Sequence, residues 1–326
     1  MSKVMFRAVL TAAILPVLAF PLQAHAQEFP IKPVRIITPS APGGTTDLLS
    51  RIMANKLTEM YKTQQVIVEN RASATGVLGG EVVAAAAPDG YTLLLAYHQH
   101  TWNKALNVPM SYDPVNSFTP ITQLTSAPLL LVINPNSPPK TLQEFVEWSK
   151  KKGDVSFGSA GVGSGGHMSG ELFKLMAGVK GEHIPYKGTG PALVDLIGGR
   201  YEFNFTGLQS GLVQARAGKL RMLAVTSPKR LNALPDVPAV AEAVPGFDVI
   251  GWYGIIGPAK MQPAIVKRLH DDLVAALKAP DVQKRIADDG SEPVGSTPEA
   301  MRAFMLADIA KWTKVVKEGG IKVEGL

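Results

Sequence analysis

Val34-Arg35-Ile36-Ile37-Thr38-Pro39-Ser40-Ala41-Pro42-Gly43-Gly44-Thr45-Thr46-Asp47 joins a short, mostly apolar run to the start of a helix through a loop of proline and glycine. Beyond the loop Leu49, Ile52, Met53 and Leu57 recur at helical spacing, a core-facing stripe on a helix expected from about Thr46 to Tyr61. Glycine lets a turn aim backbone N–H groups at a ligand, and a helix N-terminus adds partial positive charge, so the loop suits a carboxylate or a phosphate. The alternative is an ordinary strand-to-helix turn in which Thr46 or Asp47 merely caps the helix.

Working outward, Gln65-Val66-Ile67-Val68, a helix near Gly76 to Ala86 and Thr92-Leu93-Leu94-Leu95 continue the alternation. Strand, helix, strand in succession predicts βαβ units on a parallel sheet, an α/β fold. A second series follows: Leu129 to Ile133, a helix from Thr141 to Lys152 opened by a Thr141 and Glu144 capping box, Val155 to Gly158, and a helix from about Gly166 to Ala177. Further elements are expected at His183-Ile184-Pro185, Pro191 to Ile197, Phe203 to Thr206 and Leu223 to Val225. Four prolines between Ser227 and Phe247 mark an irregular return, and an apolar strand at Ile250 to Ile256 precedes helices near Pro263 to Leu277, Asp281 to Asp288 and Pro298 to Val316. That last segment is assigned back to the first lobe, whose sheet otherwise lacks covering helices. The expected division is residues 27–126 with 249–326 as one domain and 127–248 as the other. Two chain crossings between them would form a hinge.

The loop motif occurs twice. Phe157-Gly158-Ser159-Ala160-Gly161-Val162-Gly163-Ser164-Gly165-Gly166-His167 again separates a strand from a helix, one carrying Leu172, Leu175 and Met176. If both lobes aim such ends at one cleft, a single ligand carboxylate bonds to each and favours closure. The same loop matches G-x-G-x-x-G through Gly161, Gly163 and Gly166, with Glu182 near the spacing of a ribose-binding acid, so a periplasmic NAD(P)-type oxidoreductase is the catalytic alternative.

The N-terminus and the composition add two further constraints. Lys3, Arg7, an apolar run from Ala8 to Phe20 and Ala24-His25-Ala26 form a secretory signal peptide (residues 1–26), too short and too proline-interrupted for the ~20 residues of a membrane span. No later segment is long and apolar enough to cross a membrane. The remaining length of about 300 residues exceeds what one core usually covers, in keeping with two lobes. Cysteine is absent, which excludes disulfides, a thiolate nucleophile and a cysteine metal cage. The net charge of +6 falls to +4 without Lys3 and Arg7 and is scattered rather than blocked. This argues against a nucleic-acid partner, while a mild positive field assists capture of anions.

Hydrolytic chemistry finds no footing: no serine sits in G-x-S-x-G, and no histidine and acid are spaced for a triad. His98 and His100 share a face if Tyr97 to Thr101 is extended, as metal ligands would, yet no third ligand lies nearby, so a structural or ligand-contact role is expected.

Ala41-Pro42-Gly43-Gly44 with Asp47, Val68-Glu69-Asn70-Arg71, Ala87-Pro88-Asp89-Gly90-Tyr91-Thr92-Leu93-Leu94, Tyr112-Asp113-Pro114, Pro185-Tyr186-Lys187-Gly188 and Ala217-Gly218-Lys219-Leu220-Arg221 occur in this order. Together they make the chain resemble the Bug-type (TctC-like) substrate-binding receptors of tripartite tricarboxylate transporters, over essentially the whole chain after the signal. The resemblance implies a two-domain periplasmic binding-protein fold that grips one carboxylate of a small organic acid through its two loops. It also implies membrane partner subunits driven by an ion gradient. Two departures stand out: Ala72-Ser73-Ala74-Thr75-Gly76 replaces the family's Pro-Gly-Ala-Gly-Gly, and Tyr97-His98-Gln99-His100-Thr101-Trp102 stands where relatives carry small residues.

The expectation is therefore a non-enzymatic, cofactor-free, metal-free monomeric receptor for a mono- or dicarboxylate, aromatic acids included. Ala41, Gly43, Gly44, Thr45, Asp47, Ser159, Ala160, Gly161, Ser164 and His167 form the proximal clamp; Tyr97, His98, Gln99, His100, Tyr186 and Gln209 line the distal pocket. A sensory receptor for a membrane kinase uses the same site and stays open as an alternative.

Overall fold

The computed structural model describes residues 29–321 except Ala41, Gly44, Ala74, Lys187 and Asp289, so the signal segment 1–26 lies outside the described residues. The chain forms β1 (Val34–Thr38), α1 (Thr45–Tyr61), β2 (Val66–Asn70), α2 (Val77–Ala84), β3 (Thr92–Tyr97), α3 (His98–Ala105) and β4 (Phe118–Ile133). It continues through α4 (Leu142–Lys152), β5 (Phe157–Ser159), α5 (Gly165–Ala177), β6 (His183–Pro185), α6 (Thr189–Ile197), β7 (Phe203–Gly207), α7 (Leu208–Arg216) and β8 (Arg221–Val225). The return comprises β9 (Ile250–Pro258), α8 (Pro263–Leu277), α9 (Pro280–Asp288), β10 (Glu292–Pro293) and α10 (Pro298–Gly319).

Strands β2, β1 and β3 run parallel, as the alternating pattern requires, and β9 joins β3 antiparallel. The first half of β4 pairs with β9, with β10 added at Thr125 and Ser126. Its second half leaves that sheet and pairs with β7 and β8, and β5 and β6 extend the second sheet in parallel. One sixteen-residue strand thus belongs to both sheets. Only Leu129 to Ile133 is expected as strand from the sequence; Pro120 and Pro128 hide the rest, because proline donates nothing to a ladder and reads as a strand breaker. The outgoing and returning segments are stitched by Thr226: its N–H donates to Leu129 O (2.9 Å), its hydroxyl accepts from Leu129 N–H (2.7 Å) and its carbonyl accepts from Val249 N–H (3.0 Å).

The parallel strands carry buried Val34, Ile36, Leu93 and Leu95 against Leu49, Met53 and Leu57 of α1 and Leu269 and Leu273 of α8. The second sheet packs Phe157, Phe203 and Phe205 against Phe145 of α4 and Phe173 of α5, all essentially inaccessible. Full burial of each such ring stabilises the fold by about 1.5–3 kcal/mol. Helix α10 serves both bodies: Met301 and Met305 pack with the first sheet's Leu94, Trp252 and Ile256, whereas Trp312, Val315 and Val316 join the phenylalanine core of the second. Where the halves meet, the Asp308 carboxylate accepts from Thr101 Oγ1 (2.6 Å) and from the indole N–H groups of Trp102 (3.1 Å), Trp252 (3.3 Å) and Trp312 (2.9 Å). Trp102 is therefore core and not pocket wall.

The segment Tyr97 to Thr101 is not extended beyond Tyr97. Strand β3 passes directly into α3 at His98, so the two histidines project in different directions. Alternating aromatic and polar side chains gave a strand-like period, and Tyr97 supplies no side-chain cap to announce the helix.

Candidate functional site

The first loop is built around Asp47. Its carboxylate accepts from Gly43 N–H (3.0 Å), from Arg51 Nε and Nη2 (3.0 and 2.9 Å) and from Asn70 Nδ2 (2.9 Å). The Arg51 hydrogen bond, chiefly, holds its pKa down to about 2, so Asp47 is a fixed anion already matched by a cation. Asn70, at the end of β2, also donates to Ser40 O (3.0 Å), and the Ser40 and Thr46 hydroxyls bond each other. Asp47 shapes the loop from behind and Thr45 opens α1 at the cleft. Ala41 and Gly44 lie outside the described residues.

The second loop is likewise organised from within. Ser164 caps α5 by accepting from His167 N–H (3.3 Å), and Met168 N–H bonds Ser164 O (3.0 Å), which leaves the Gly165 and Gly166 amides without intrahelical acceptors. Ser159 is 1% exposed and His167 4% exposed. The His167 ring accepts Gly163 N–H at Nδ1 (3.1 Å), and burial, with Lys174 nearby, depresses its pKa to about 4. Gly161 and Gly163 have φ of 133° and 75°, values that only glycine adopts freely. Gly166 serves packing: a Cβ there would stand 2.5 Å from Phe205 O.

Between the sheets lies a cavity of about 140 Å³, walled by Thr45, by Ala127, Pro128 and Leu129 of β4, by Gly251 and Tyr253 of β9, by Gly207 to Ser210 at the start of α7, and by Gly290 and Ser291. None of these lining residues is charged. The cavity brings Thr45 and Gln209, from opposite sheets, to one space. The second loop is seated beside it against α3, where Gly163 approaches Gln99 Nε2 and Leu106 at about 3.5 Å measured from its would-be Cβ. Gln99 accepts from the Tyr97 hydroxyl (2.5 Å), Tyr97 stacks on Tyr253 with centroids 6.4 Å apart, and His98 packs edge-on to Tyr253 with Nδ1 near Gly251. Burial lowers the His98 pKa to about 4, so the cleft floor is neutral.

Two expected contact residues point elsewhere. His100 bonds Pro114 O (2.9 Å), stacks on Tyr112 and is 5% exposed, inside the first body. The Tyr186 hydroxyl donates to Asp195 Oδ2 (2.9 Å), which itself is held by Arg200. Of the expected site residues only Thr45 and Gln209 line the cavity itself; no residue of the second loop, 159–167, and none of Gly43, Asp47, Tyr97, His98 and Gln99 does. A larger groove of about 560 Å³ lies outside, between α6 and α7, and shares Gln209 and Ser210. It is open, flanked by exposed Val194 and Val213, and also lined by Thr189, Gln214 and Lys219, but every residue lining it comes from the second body, so it cannot be closed over by the first.

Sequence reasoning missed Asn70, Arg51 and His183. Asn70 stood in a quoted motif but its partners are distant in sequence; His183, on β6, is brought to the second loop by the parallel pairing of β5 and β6, which no local spacing announces. The dinucleotide reading loses its acid here: Glu182 precedes β6 and its carbonyl pairs with Phe157 N–H (2.9 Å), at the end of the sheet opposite the glycine loop, whereas a ribose-binding acid must sit at the loop's own end.

Among the described residues no helix is long and apolar enough to cross a membrane. The profile of the tripartite tricarboxylate transporter family receptor matches residues 49–321. Protein BugT of Bordetella pertussis is 35% identical over 303 residues, covering 92% of this chain and 93% of its own. Rpa4515 of R. palustris, solved with adipate, superposes with a TM-score of 0.80 at 33% identity, covering 90% of this chain and 99% of that one. MatC of Rhodopseudomonas palustris, solved with bound malate, gives 0.75 at 32% identity, covering 88% and 100%. The family profile begins at Leu49, beyond the first loop, and takes in the second loop and the second sheet. The chain belongs to the tripartite tricarboxylate transporter receptor (TctC) family, with the two-domain α/β fold of the Bug-type binding proteins.

Proposed function

We propose that the protein is an exported periplasmic receptor that captures a small organic carboxylate between its two sheets and delivers it to the membrane subunits of a tripartite tricarboxylate-type secondary transporter. The observation that carries this reading is the uncharged cavity between the sheets, into which the N-terminal turns of α1 and α7 present Thr45 and Gly207 to Ser210 from opposite sides. Converging helix starts supply N–H donors and partial positive charge without a fixed cation, which suits reversible capture of an anion.

In this reading Gly43, Gly44 and Thr45 from one lobe and Gly161, Ser164, Gly165 and Gly166 from the other hold the proximal carboxylate, while Tyr97, His98, Gln99 and Gln209 surround the far end. The lobes are residues 27–126 with 249–326 and residues 127–248, and Thr226 ties the two crossings on which they close. Binding of adipate and malate by structural relatives supports a carboxylate ligand. A thermal-shift screen of succinate, malate, adipate, benzoate, amino acids and nicotinamide dinucleotides tests it, since any ligand of the native state raises the unfolding temperature. Stabilisation by one or more carboxylates is expected; a response confined to dinucleotides or amino acids refutes the reading.

A further inference from the structure

Behind the second loop two imidazoles stack with centroids 4.0 Å apart, His167 from α5 and His183 from β6, and the Phe157 ring of β5 lies alongside both, 5.0 Å from His183 and 6.5 Å from His167. Each ring governs one of the loop's left-handed glycines. His167 Nδ1 accepts Gly163 N–H (3.1 Å). His183 Nε2 lies 2.6 Å from Ser159 Oγ, which is also 3.1 Å from Gly161 N and 3.0 Å from Gly161 O.

A serine hydroxyl has one hydrogen and two lone pairs. Gly161 O can only accept, so the hydroxyl hydrogen goes there; Gly161 N–H and His183 Nε2–H then fill the lone pairs. All three contacts are satisfied only if His183 carries its proton on Nε2. His167 must do the same, because its Nδ1 is an acceptor. We propose that His183 is a positioning residue for ligand capture: through Ser159, and stacked on His167, it fixes the shape of the Gly161 to Gly163 turn before any ligand arrives. A turn of two positive-φ glycines would otherwise sample many shapes, and ordering it on binding would weaken affinity. The charged groups beside the pair are Lys174, which lies over the Phe157 ring, and Glu171, which holds Lys174 at 2.9 and 3.0 Å. A lysine on this side favours neutral rings, as the arrangement demands.

The binding consequence rests on the receptor reading; the structural part does not, so the test begins without ligand. Long-range 15N–1H spectra of the wild-type protein at pH 7 are expected to show both rings as neutral Nε2–H tautomers. An Nδ1–H form of His167, or a cationic ring in either, overturns the proposal. In His183→Phe, which keeps the stack, Gly161 amide exchange should quicken at least tenfold while amides of β1 and α8 stay as they were; His183→Gln, whose amide N–H reaches for Ser159, should restore slow exchange. Equal exchange in all three proteins also overturns it. Against adipate or malate, whichever the wild type binds, His183→Phe should weaken binding roughly tenfold, the worth of about one hydrogen bond, and His183→Gln less than threefold. If neither acid binds the wild type, the receptor reading is what suffers, while the tautomers and the exchange rates still decide the role of His183.

Discussion

Gly166→Ala is the substitution for which the structure gives the sharpest number. The residue lies in the first turn of α5, where the added methyl would stand 2.5 Å from Phe205 O and 3.3 Å from Ser159 Cβ. A backbone carbonyl in the middle of β7 cannot rotate aside. Ordinary contact near 3.4 Å requires the helix start to lift by roughly 0.9 Å, and overpacking of this kind costs about 1–3 kcal/mol. Alanine's better helix propensity returns up to about 1 kcal/mol, which leaves a net loss of about 0–2 kcal/mol, centred near 1. Gly190→Ala is the matched control: it lies in the first turn of α6, a methyl there meets nothing within 4 Å, and the same propensity gain should leave that variant equal to or slightly more stable than wild type. Urea unfolding with an unchanged m-value measures both. Opposite signs for one chemical change are expected; a Gly166→Ala protein as stable as the Gly190→Ala control would refute the claim that α5 is seated by contact with β7. The lifted helix start also moves the Gly165 and Gly166 amides, so carboxylate affinity should fall with stability.

Asp308→Ala should destabilise by about 3 kcal/mol in urea, because three buried indole N–H groups lose their acceptor at about 1–3 kcal/mol each with partial relaxation. Asp308→Asn should cost less, since burial raises the Asp308 pKa and the asparagine oxygen still accepts; equal losses would contradict this. Asn70→Ala removes the donors to Ser40 O and Asp47 Oδ1 that fold the first loop, so carboxylate affinity measured by calorimetry should drop roughly tenfold with little change in unfolding temperature. For pH, His98, His100 and His167 are lowered to about 4 and His183 to about 3, chiefly by burial, so each is neutral when folded and takes a proton when unfolded below pH ~6.5. Stability is therefore whole above pH 6.5 and declines as the pH falls toward 4, with the raised Asp308 acting in the opposite sense as one group against four. An equal urea midpoint at pH 7.5 and pH 5 would contradict that balance.

Much of the architecture could be read from the letters because the period of burial is local. The β1, α1 and β2 succession and the α4 cap at Thr141 follow from spacing and capping alone, and α5 begins within one residue of its expected start. What escaped depends on distant partners. The first half of β4 is a strand because β9 returns beside it, in spite of two prolines. His98 begins a helix because Thr101 and Trp102 must reach Asp308, more than two hundred residues on. In the site, both glycine loops were visible, but not that Asp47 is consumed by Arg51 and Asn70, nor that His100 is turned into the core, since those outcomes depend on which neighbour a side chain finds.

The central claim is that one carboxylate is held between the two bodies. A crystal structure grown with the acid that most raises the unfolding temperature tests it most directly. The account predicts a carboxylate between Thr45 and the glycine loop of residues 159–167, with oxygens within about 3.2 Å of N–H or hydroxyl donors from both bodies. A carboxylate bound instead in the outer groove between α6 and α7, or held by one body alone, would contradict it.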